Sequence, residues 1–210
     1  MARFIAGLLC GLAMTLRFIA AALLAATSAP ALPQSAPASQ EVPVAIDTSA
    51  GRIVVALDET HAPVTTANFL HYADTHRFDG ESFYRAMHIG DGGIIQGGIR
   101  SDGRKLFPPI AHEPTSQTGL HNVTGAISMA NAGPGTARAD FFILASDIPS
   151  FDATASDPGF AVFGHVVEGM DAVKKILASP VSATAGEGAM KGQMLDPPIR
   201  IIKVERVTGQ

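Results

Sequence analysis

The fold of this chain is constrained most by two short apolar runs on either side of a small polar loop. They lie within residues 127–144, and the loop between them carries Asn131, Gly133, Pro134 and Gly135. Each run is only a few residues long, which is too short for an independent helix but typical of a strand that ends in turn residues. The stretch therefore predicts two neighbouring strands in a domain built mainly from sheet.

The same alternation of short apolar runs and turn residues recurs along the chain. Residues 42–57 contain the turn cluster 48–51 and are predicted to form a hairpin. Further strands are predicted where an apolar run is bounded by Gly, Pro, Asp or Ser, namely at residues 82–86, 93–96, 126–130, 141–145, 161–167 and 200–207. Segments 101–122 and 179–198 are predicted to be loops.

Two helices are predicted among these strands. Pro63 suits the first position of a helix, and Phe69 and Tyr72 then lie on one apolar stripe. A second stripe runs through residues 170–177 and is stopped by Pro180. The pattern predicts a mainly β domain, closed or partly closed, with two helices over its open ends.

The first forty residues differ in composition from the rest of the chain. They contain no acidic residue, and the apolar runs 4–14 and 18–26 are separated by a segment that ends in Arg17. Neither run reaches the roughly 18 residues of a membrane span, and the small residues 29–31 suit a cleavage site. We predict a signal peptide at residues 1–31 and a polar linker at residues 32–41, and therefore a periplasmic or secreted protein.

Two alternatives remain open for this segment. An uncleaved anchor over residues 4–26 would carry Arg17 inside the membrane, at a cost of about 2.5–3.5 kcal/mol on insertion scales. Met14 could also be the start of translation, since residues 14–26 form a complete signal of ordinary length. We favour cleavage, after which no stable membrane insertion is expected.

Charge and cysteine usage narrow the possible partners of the mature part. Cys10 is the only cysteine and lies in the predicted signal peptide, so the mature domain would have no disulfide. Cleavage would also remove Arg3 and Arg17, which leaves 13 basic against 19 acidic residues. An acidic balance argues against nucleic acid as a partner, because phosphate binding needs basic surface.

Several sequence blocks resemble one known family. They are Met129-Ala-Asn-Ala-Gly-Pro134 with Phe141-Phe-Ile143, Phe83-Tyr-Arg85 with Gln96-Gly-Gly98, and the segments 62–69 and 162–170. In this order and spacing they resemble the cyclophilins, the peptidyl-prolyl cis/trans isomerases. The resemblance covers residues 42–208 and implies a closed eight-stranded antiparallel β-barrel capped by two α-helices. It also implies an enzyme without cofactor or metal, whose partners are proline-containing polypeptides and which we expect to be a monomer.

The resemblance implies a set of site residues. Arg85 would be catalytic and donate a hydrogen bond to the prolyl nitrogen. Because Phe141 and Phe142 are adjacent on a strand, they point to opposite faces, and by the family pattern Phe142 lines the proline pocket. Gln96 and Asn131 would hold the substrate backbone. The remaining predicted contacts are Ala130, Ile94, Phe151 and Met129, although Met129 suits the inside of the barrel better than a contact.

The chain also departs from the family at four points. Gly92-Gly93 replaces an aromatic residue ahead of Gln96, and the chain has no tryptophan, so Phe151 is the nearest apolar substitute. Phe160 stands where a histidine is usual, and Asp140 where a glutamine is usual. The first two departures, Gly92-Gly93 and the missing tryptophan, make a peptide-binding module or chaperone of cyclophilin fold, with weak catalysis, the alternative to an isomerase.

Overall fold

The computed structural model describes residues 40–207, so the predicted signal peptide and almost all of the predicted linker lie outside the described part. This part of the chain contains nine strands: β1 (Glu41–Thr48), β2 (Gly51–Asp58), β3 (Ser82–Ile89), β4 (Gly92–Gly98), β5 (Ala126–Met129), β6 (Phe141–Leu144), β7 (Ala161–Glu168), β8 (Val181–Ser182) and β9 (Met194–Arg206). Three α-helices accompany them: α1 (Pro63–Asp74), α2 (Thr115–Thr118) and α3 (Met170–Leu177).

Eight of the strands form a closed antiparallel barrel. Neighbouring strands follow the order β1-β2-β7-β5-β6-β4-β3-β9, and β9 pairs back with β1 to close the ring. The closing pairs run from Val44 opposite Arg206 to Thr48 opposite Ile201. The two-residue strand β8 pairs with β9 and adds to the outside of this ring. Closure leaves no edge strand in the ring itself, and it confirms the predicted fold class.

The core fills the barrel and extends under a helix at each end. Thr66 of α1 donates to the carbonyl of Asp58 at one end of β2, and Ala172 of α3 faces Gly51 at the other end. Phe69 of α1 reaches the barrel interior, where its ring lies 5.2 Å from that of Phe141. The two predicted helices therefore cap opposite ends of the barrel.

Helix α1 takes its N-terminal cap from a distant loop. Its own cap position, Ala62, offers no side-chain acceptor, and Pro63 has no N–H to satisfy. Glu113 lies nearly buried and accepts from the backbone N–H groups of Val64 and Thr65, at 3.1 and 2.8 Å, and also from the Thr65 hydroxyl. A carboxylate at this position satisfies free N–H groups and complements the helix dipole.

The structure corrects three details of the prediction. Strand β9 begins at Met194, inside the segment 179–198 that was predicted to be a loop, and β8 lies there too. Consecutive prolines argue against a strand, yet Pro197 and Pro198 lie within β9, between its β3 pair at Met194 and its β3 pair at Ile199, where the register shifts. Helix α2 lies in the other predicted loop, and Glu41 belongs to β1 rather than to the linker.

Among residues 40–207 there is no helix that is both long and apolar enough to cross a membrane.

Candidate functional site

A bulge in β3 turns two consecutive side chains to the outer face of the barrel. The register of β3 shifts between Phe83 and Arg85 against both of its neighbouring strands. Phe83 and Ala86 belong to the barrel core, so Tyr84 and Arg85 between them both point outward. A regular strand would alternate and could not present both side chains on one face.

Arg85 is held by three contacts around its guanidinium. Its Nε donates to Gln193 Oε1 at 2.8 Å, its Nη1 donates to Gln96 Oε1 at 2.8 Å, and its Nη2 lies 3.2 Å from the sulfur of Met87. Burial lowers the pKa of the Arg85 guanidinium, but an arginine in a protein stays charged at neutral pH. Arg85 is therefore a half-buried, fixed cation that retains N–H donors for a ligand.

A line of hydrogen bonds continues from Arg85 into the protein. Gln96 Nε2 donates to the hydroxyl of Tyr84 at 2.7 Å, and that hydroxyl lies 3.0 Å from Asp140 Oδ1. Burial and then the nearby Asp140 carboxylate raise the pKa of Tyr84, which keeps its proton. Burial also raises the pKa of Asp140. The amide oxygen of Gln96 therefore accepts from Arg85, and its NH₂ group donates to Tyr84. The contact of Gln96 with a substrate backbone stays a prediction.

An apolar cluster lies next to Arg85 on the same face. Phe142 is directly opposite Gln96 in the β4–β6 ladder, and Ile94 precedes it on that face of β4. The rings of Phe151 and Phe160 lie edge-on to the Phe142 ring, with centroids 5.7 and 5.2 Å away. Phe142 and Ile94 are each 2% exposed, so Phe142 forms the floor of the cluster and its neighbours present the accessible apolar surface.

Phe151, one of the rings around Phe142, is held in place by the buried side chain of Asn122. Asn122 is 1% exposed, and its Nδ2 donates to the Phe151 carbonyl at 3.1 Å and to Asp152 Oδ1 at 2.8 Å. Its Oδ1 accepts from Ser128 at 2.8 Å. The side chain of Asn122 thereby connects β5 to the short helical turn that ends at Phe151.

A cavity of about 360 Å³ adjoins the line of hydrogen bonds. Tyr84, Gln96, Ala130, Asn131 and Asp140 contribute to its lining. The Asn131 Oδ1 accepts from the Gly133 N–H at 2.9 Å, which is a local turn, whereas its buried Nδ2 has no partner in the described part of the chain. Asn131 and Ala130 are thus placed at the rim of the site, and Asn131 retains an unpaired donor there.

Met129 fills the barrel, which the sequence favoured, and its predicted contact with a substrate is wrong. Met129 is 1% exposed and lies in the barrel core opposite Phe141, on the inner face of β5. Phe141 and Phe142 do point to opposite faces, as predicted, because the first belongs to the barrel core and the second to the outer cluster.

Several site residues are absent from the prediction. Gln193 falls in a segment predicted to be a loop, and Met87 and Phe160 pack against the apolar cluster from positions given no role in the site. Tyr84 could have been found from the pattern of β3, because Phe83 and Ala86 are three apart and a regular strand would bury residues two apart.

The groups on this face define what it can bind. No group of three or more metal-binding side chains is found within residues 40–207. What the face offers is a fixed cation, an apolar surface beside it and an amide donor across from it. Such a surface can bind an extended polypeptide and stabilise charge that develops near the cation.

Comparison with known proteins agrees with this geometry. Residues 43–206 match the family described as "Cyclophilin type peptidyl-prolyl cis-trans isomerase/CLD". The chain is 36% identical over 162 residues to "Peptidyl-prolyl cis-trans isomerase A" of Dickeya dadantii, which covers 75% of this chain and 83% of that protein. It is 34% identical over 175 residues to "Peptidyl-prolyl cis-trans isomerase" of Acinetobacter baylyi, with 81% and 88% covered.

A solved structure shares the fold at lower identity. The crystal structure of a Cryptosporidium parvum cyclophilin type peptidyl-prolyl cis-trans isomerase, determined in the presence of the dipeptide Ala-Pro, superimposes with a TM-score of 0.64 at 22% identity. It covers 80% of this chain and 99% of that one.

Proposed function

This chain belongs to the cyclophilin-type peptidyl-prolyl cis-trans isomerases, and we propose that it uses Arg85 to accelerate rotation about X-Pro bonds in exported proteins. The isomerase activity is that of the family. The role of Arg85, the exported clients and the bacterial periplasm as the place of work are the proposal. A proline-containing segment of another protein is the proposed substrate, in line with the Ala-Pro dipeptide named for the Cryptosporidium protein.

The chemistry of the reaction explains why a cation is needed. Rotation about an X-Pro bond meets a barrier of roughly 18–20 kcal/mol, because twisting the C–N bond destroys amide resonance. The prolyl nitrogen then regains its lone pair and becomes a hydrogen-bond acceptor. A donor aimed at this nitrogen stabilises the twisted amide more than the planar one, which is the condition for catalysis.

One observation carries the proposal: the guanidinium of Arg85 is fixed beside the apolar cluster. Met87 joins the two, since its sulfur lies 3.2 Å from Arg85 Nη2 and its side chain packs against the cluster around Phe142. A proline ring on that cluster would bring the prolyl nitrogen toward the guanidinium. Prior fixation by Gln193 and Gln96 means that little reorganisation is needed when the amide twists.

The test is exchange NMR on an Ala-Pro peptide with the purified protein and its Arg85→Ala variant. We expect the parent to accelerate cis/trans exchange and the variant to lose about a hundredfold in rate, the scale of one lost transition-state donor. Arg104→Ala is the matched control, because the Arg104 side chain is 92% exposed and pairs with Asp102 away from the site. A folded Arg85→Ala protein that keeps the parent rate would contradict the role of Arg85.

The exported context rests on composition. Residues 1–40 carry no acidic residue, and their apolar runs are followed by small residues at positions 29–31. The mass of the protein recovered from the periplasmic fraction of a bacterial host tests this proposal. A mature chain that begins shortly after residue 31 is expected, whereas a full-length chain in the membrane fraction would favour the tethered alternative.

A peptide-binding module with weak catalysis is the second candidate. It is favoured by Gly93, which stands where the family has an aromatic wall, and by Phe142, which is 2% exposed. Gly93 cannot simply be exchanged for an aromatic residue, because its φ is +138° and an added Cβ would lie 1.9 Å from the Met87 carbonyl oxygen. Peptide binding without acceleration in the same NMR experiment would identify this case.

A further inference from the structure

The line of hydrogen bonds that begins at Arg85 ends at a carboxylate. Nη1 of Arg85 donates to Gln96 Oε1 at 2.8 Å, Gln96 Nε2 donates to Tyr84 at 2.7 Å, and Tyr84 lies 3.0 Å from Asp140 Oδ1. We propose that Asp140 is a positioning residue, which orients Arg85 for catalysis through Tyr84 and Gln96. This inference rests on the proposed role of Arg85.

The donors and acceptors along this line leave one consistent orientation. An ionised carboxylate can only accept, so the Tyr84 hydroxyl donates to Asp140. The hydroxyl oxygen is then free to accept from Gln96 Nε2, and this turns the amide oxygen of Gln96 toward Arg85. A guanidinium has donors only, so an oxygen is the group it needs there. The charge of Asp140 thus fixes which end of the Gln96 amide faces the arginine.

Loss of the carboxylate would remove this constraint. A Tyr84 hydroxyl without an acceptor at Asp140 can donate to Gln96 instead, and the amide then presents its NH₂ group to Arg85. Two donors would face each other, and the guanidinium would have to move. Because Tyr84 is 7% and Gln96 is 8% exposed, water has little access to compensate for the mismatch.

The backbone is shaped to admit this arrangement. The bulge in β3 brings Tyr84 and Arg85 to the same face, and Gly98 leaves room for the carboxylate. A Cβ at Gly98 would lie 2.3 Å from Asp140 Oδ1, and the φ of Gly98 is +147°. The guanidinium of Arg100 lies over the ring of Tyr84, 4.7 Å from its centroid, and covers the tyrosine from the cavity side.

The burial of Asp140, together with its neighbours, makes the line of hydrogen bonds sensitive to pH. Three neighbours act on the Asp140 carboxyl, namely Tyr84 on β3, Arg100 after β4 and Glu81 ahead of β3. Arg138 lies on the same loop as Asp140 and lines the same cavity. Burial dominates and raises the pKa of Asp140 above its usual value of 3.8. Protonation gives the carboxyl a hydrogen to donate to Tyr84, and the direction of the whole line can then reverse. Activity is therefore expected to fall as the pH drops through this raised pKa.

The free energy of unfolding should respond to pH in the opposite direction to the activity. A carboxyl whose pKa is raised by folding binds its proton more tightly in the folded state, so its ionisation costs stability as the pH rises through the folded pKa. Asp140→Asn removes this cost and still offers Tyr84 a hydrogen-bond partner, so this variant should fold. Its amide can turn either its oxygen or its NH₂ group toward Tyr84, however, so it no longer fixes the direction of the line. A structural residue would lose stability and activity together, whereas a positioning residue of this kind loses activity alone.

The experiment measures kcat and KM on an Ala-Pro peptide from about pH 4 to about pH 8. The proteins compared are the parent, Asp140→Asn, Tyr84→Phe and the double variant. Each single variant is expected to lose about tenfold in kcat with little change in KM, the rate equivalent of one hydrogen bond. The double variant should lose no more than Tyr84→Phe, because Asp140 acts through the tyrosine. The acid-side fall of the parent should be absent from both single variants.

Two matched controls share the chemistry of the substitutions. Tyr72→Phe removes the other tyrosine hydroxyl, which accepts from the Phe107 N–H at 2.8 Å and has no link to Arg85. Asp147→Asn changes an exposed carboxylate that accepts from Thr124. Both controls should keep the parent kcat and its pH profile. The NMR resonance of the Arg85 Nε–Hε group should shift in Asp140→Asn and Tyr84→Phe but not in either control.

Different outcomes would refute the positioning role of Asp140 and the catalytic role of Arg85. An Asp140→Asn protein with the parent kcat, acid-side profile and Arg85 resonance would overturn the positioning role. Additive losses in the double variant would also overturn it, since Asp140 would then act independently of Tyr84. Full activity of Arg85→Ala would instead refute the role of Arg85, whatever the Asp140 variants do.

Discussion

Met87 contacts both Arg85 and the apolar cluster around Phe142. It lies on the side of the site where the family's aromatic residue is replaced by Gly93. It lies directly opposite Ile94 in the β3–β4 ladder, packs against the cluster of Phe142, and its sulfur touches Arg85. A thioether is flexible and polarisable, which suits it to fill a gap left by a rigid ring. We therefore interpret Met87 as the substitute for the aromatic residue that Gly93 excludes.

Met87→Ala is expected to weaken peptide binding more than the chemical step. The truncation removes about 1 kcal/mol of apolar contact from a half-buried side chain, which corresponds to a KM about fivefold higher. Met87→Leu keeps the apolar wall and should restore most of the loss. The measurement is the KM for the Ala-Pro peptide and the affinity of the peptide by NMR titration.

Ile89→Ala is the control for this prediction. Ile89 follows Met87 on the same face of β3 but is 42% exposed and lies at the end of the strand. Its variant should bind the peptide as the parent does. A Met87→Ala protein with the parent KM would mean that the cluster alone accommodates the proline ring.

At the scale of elements, helix α1 depends on a carboxylate that is 48 residues away from it in sequence. Glu113→Ala would leave the N–H groups of Val64 and Thr65 and the Thr65 hydroxyl without their buried acceptor. The expected loss is about 2 kcal/mol in the free energy of unfolding, measured by urea denaturation. Glu113→Gln keeps one acceptor oxygen and should lose about half as much.

Glu59→Ala provides the comparison for Glu113. Glu59 is exposed and lies just ahead of the same helix, so its variant should unfold at the parent urea concentration. If Glu113→Ala also unfolds there, the cap does not stabilise α1. Isomerase activity well below the unfolding temperature should be unchanged in both variants, since neither residue belongs to the site.

The elements that could be predicted from sequence are those whose pattern is local. Strands β5 and β6 and the opposite faces of Phe141 and Phe142 follow from alternation, and α1 follows from Pro63 and its stripe. The bulge at Tyr84 has only a weak local signal, the spacing of Phe83 and Ala86, because the bulge itself depends on the registers with β4 and β9 together. Gln193 escaped prediction for the same reason, since its polar segment joins the site only through the pairing of β9.

At the scale of the whole molecule, most perturbed carboxyls stabilise the fold only when ionised. Hydrogen bonds from Arg206 lower the pKa of Asp74. Burial alone would raise the pKa of Asp58 and of Asp152, but hydrogen bonds from His61 and from Asn122 outweigh it and lower both. Stability from a lowered pKa is present above the unfolded value of 3.8 and is lost as the pH falls through the folded value. The barrel should therefore be stable from neutral pH down to about pH 5 and lose stability below it.

Asp152→Asn tests this account on a single group. Asp152 Oδ1 accepts from the backbone N–H and the side chain of Asn122, both at 2.8 Å, and its Oδ2 pairs with His121. At pH 7 the variant is expected to lose about 2 kcal/mol, because charge-assisted bonds become neutral ones. As the pH falls through the folded pKa of Asp152, the parent's carboxyl also becomes neutral, so the difference between the two proteins should shrink. Urea unfolding at pH 7 and near pH 3 measures both values, and a difference that stays constant would mean that the shape of the aspartate matters to the fold and its charge does not.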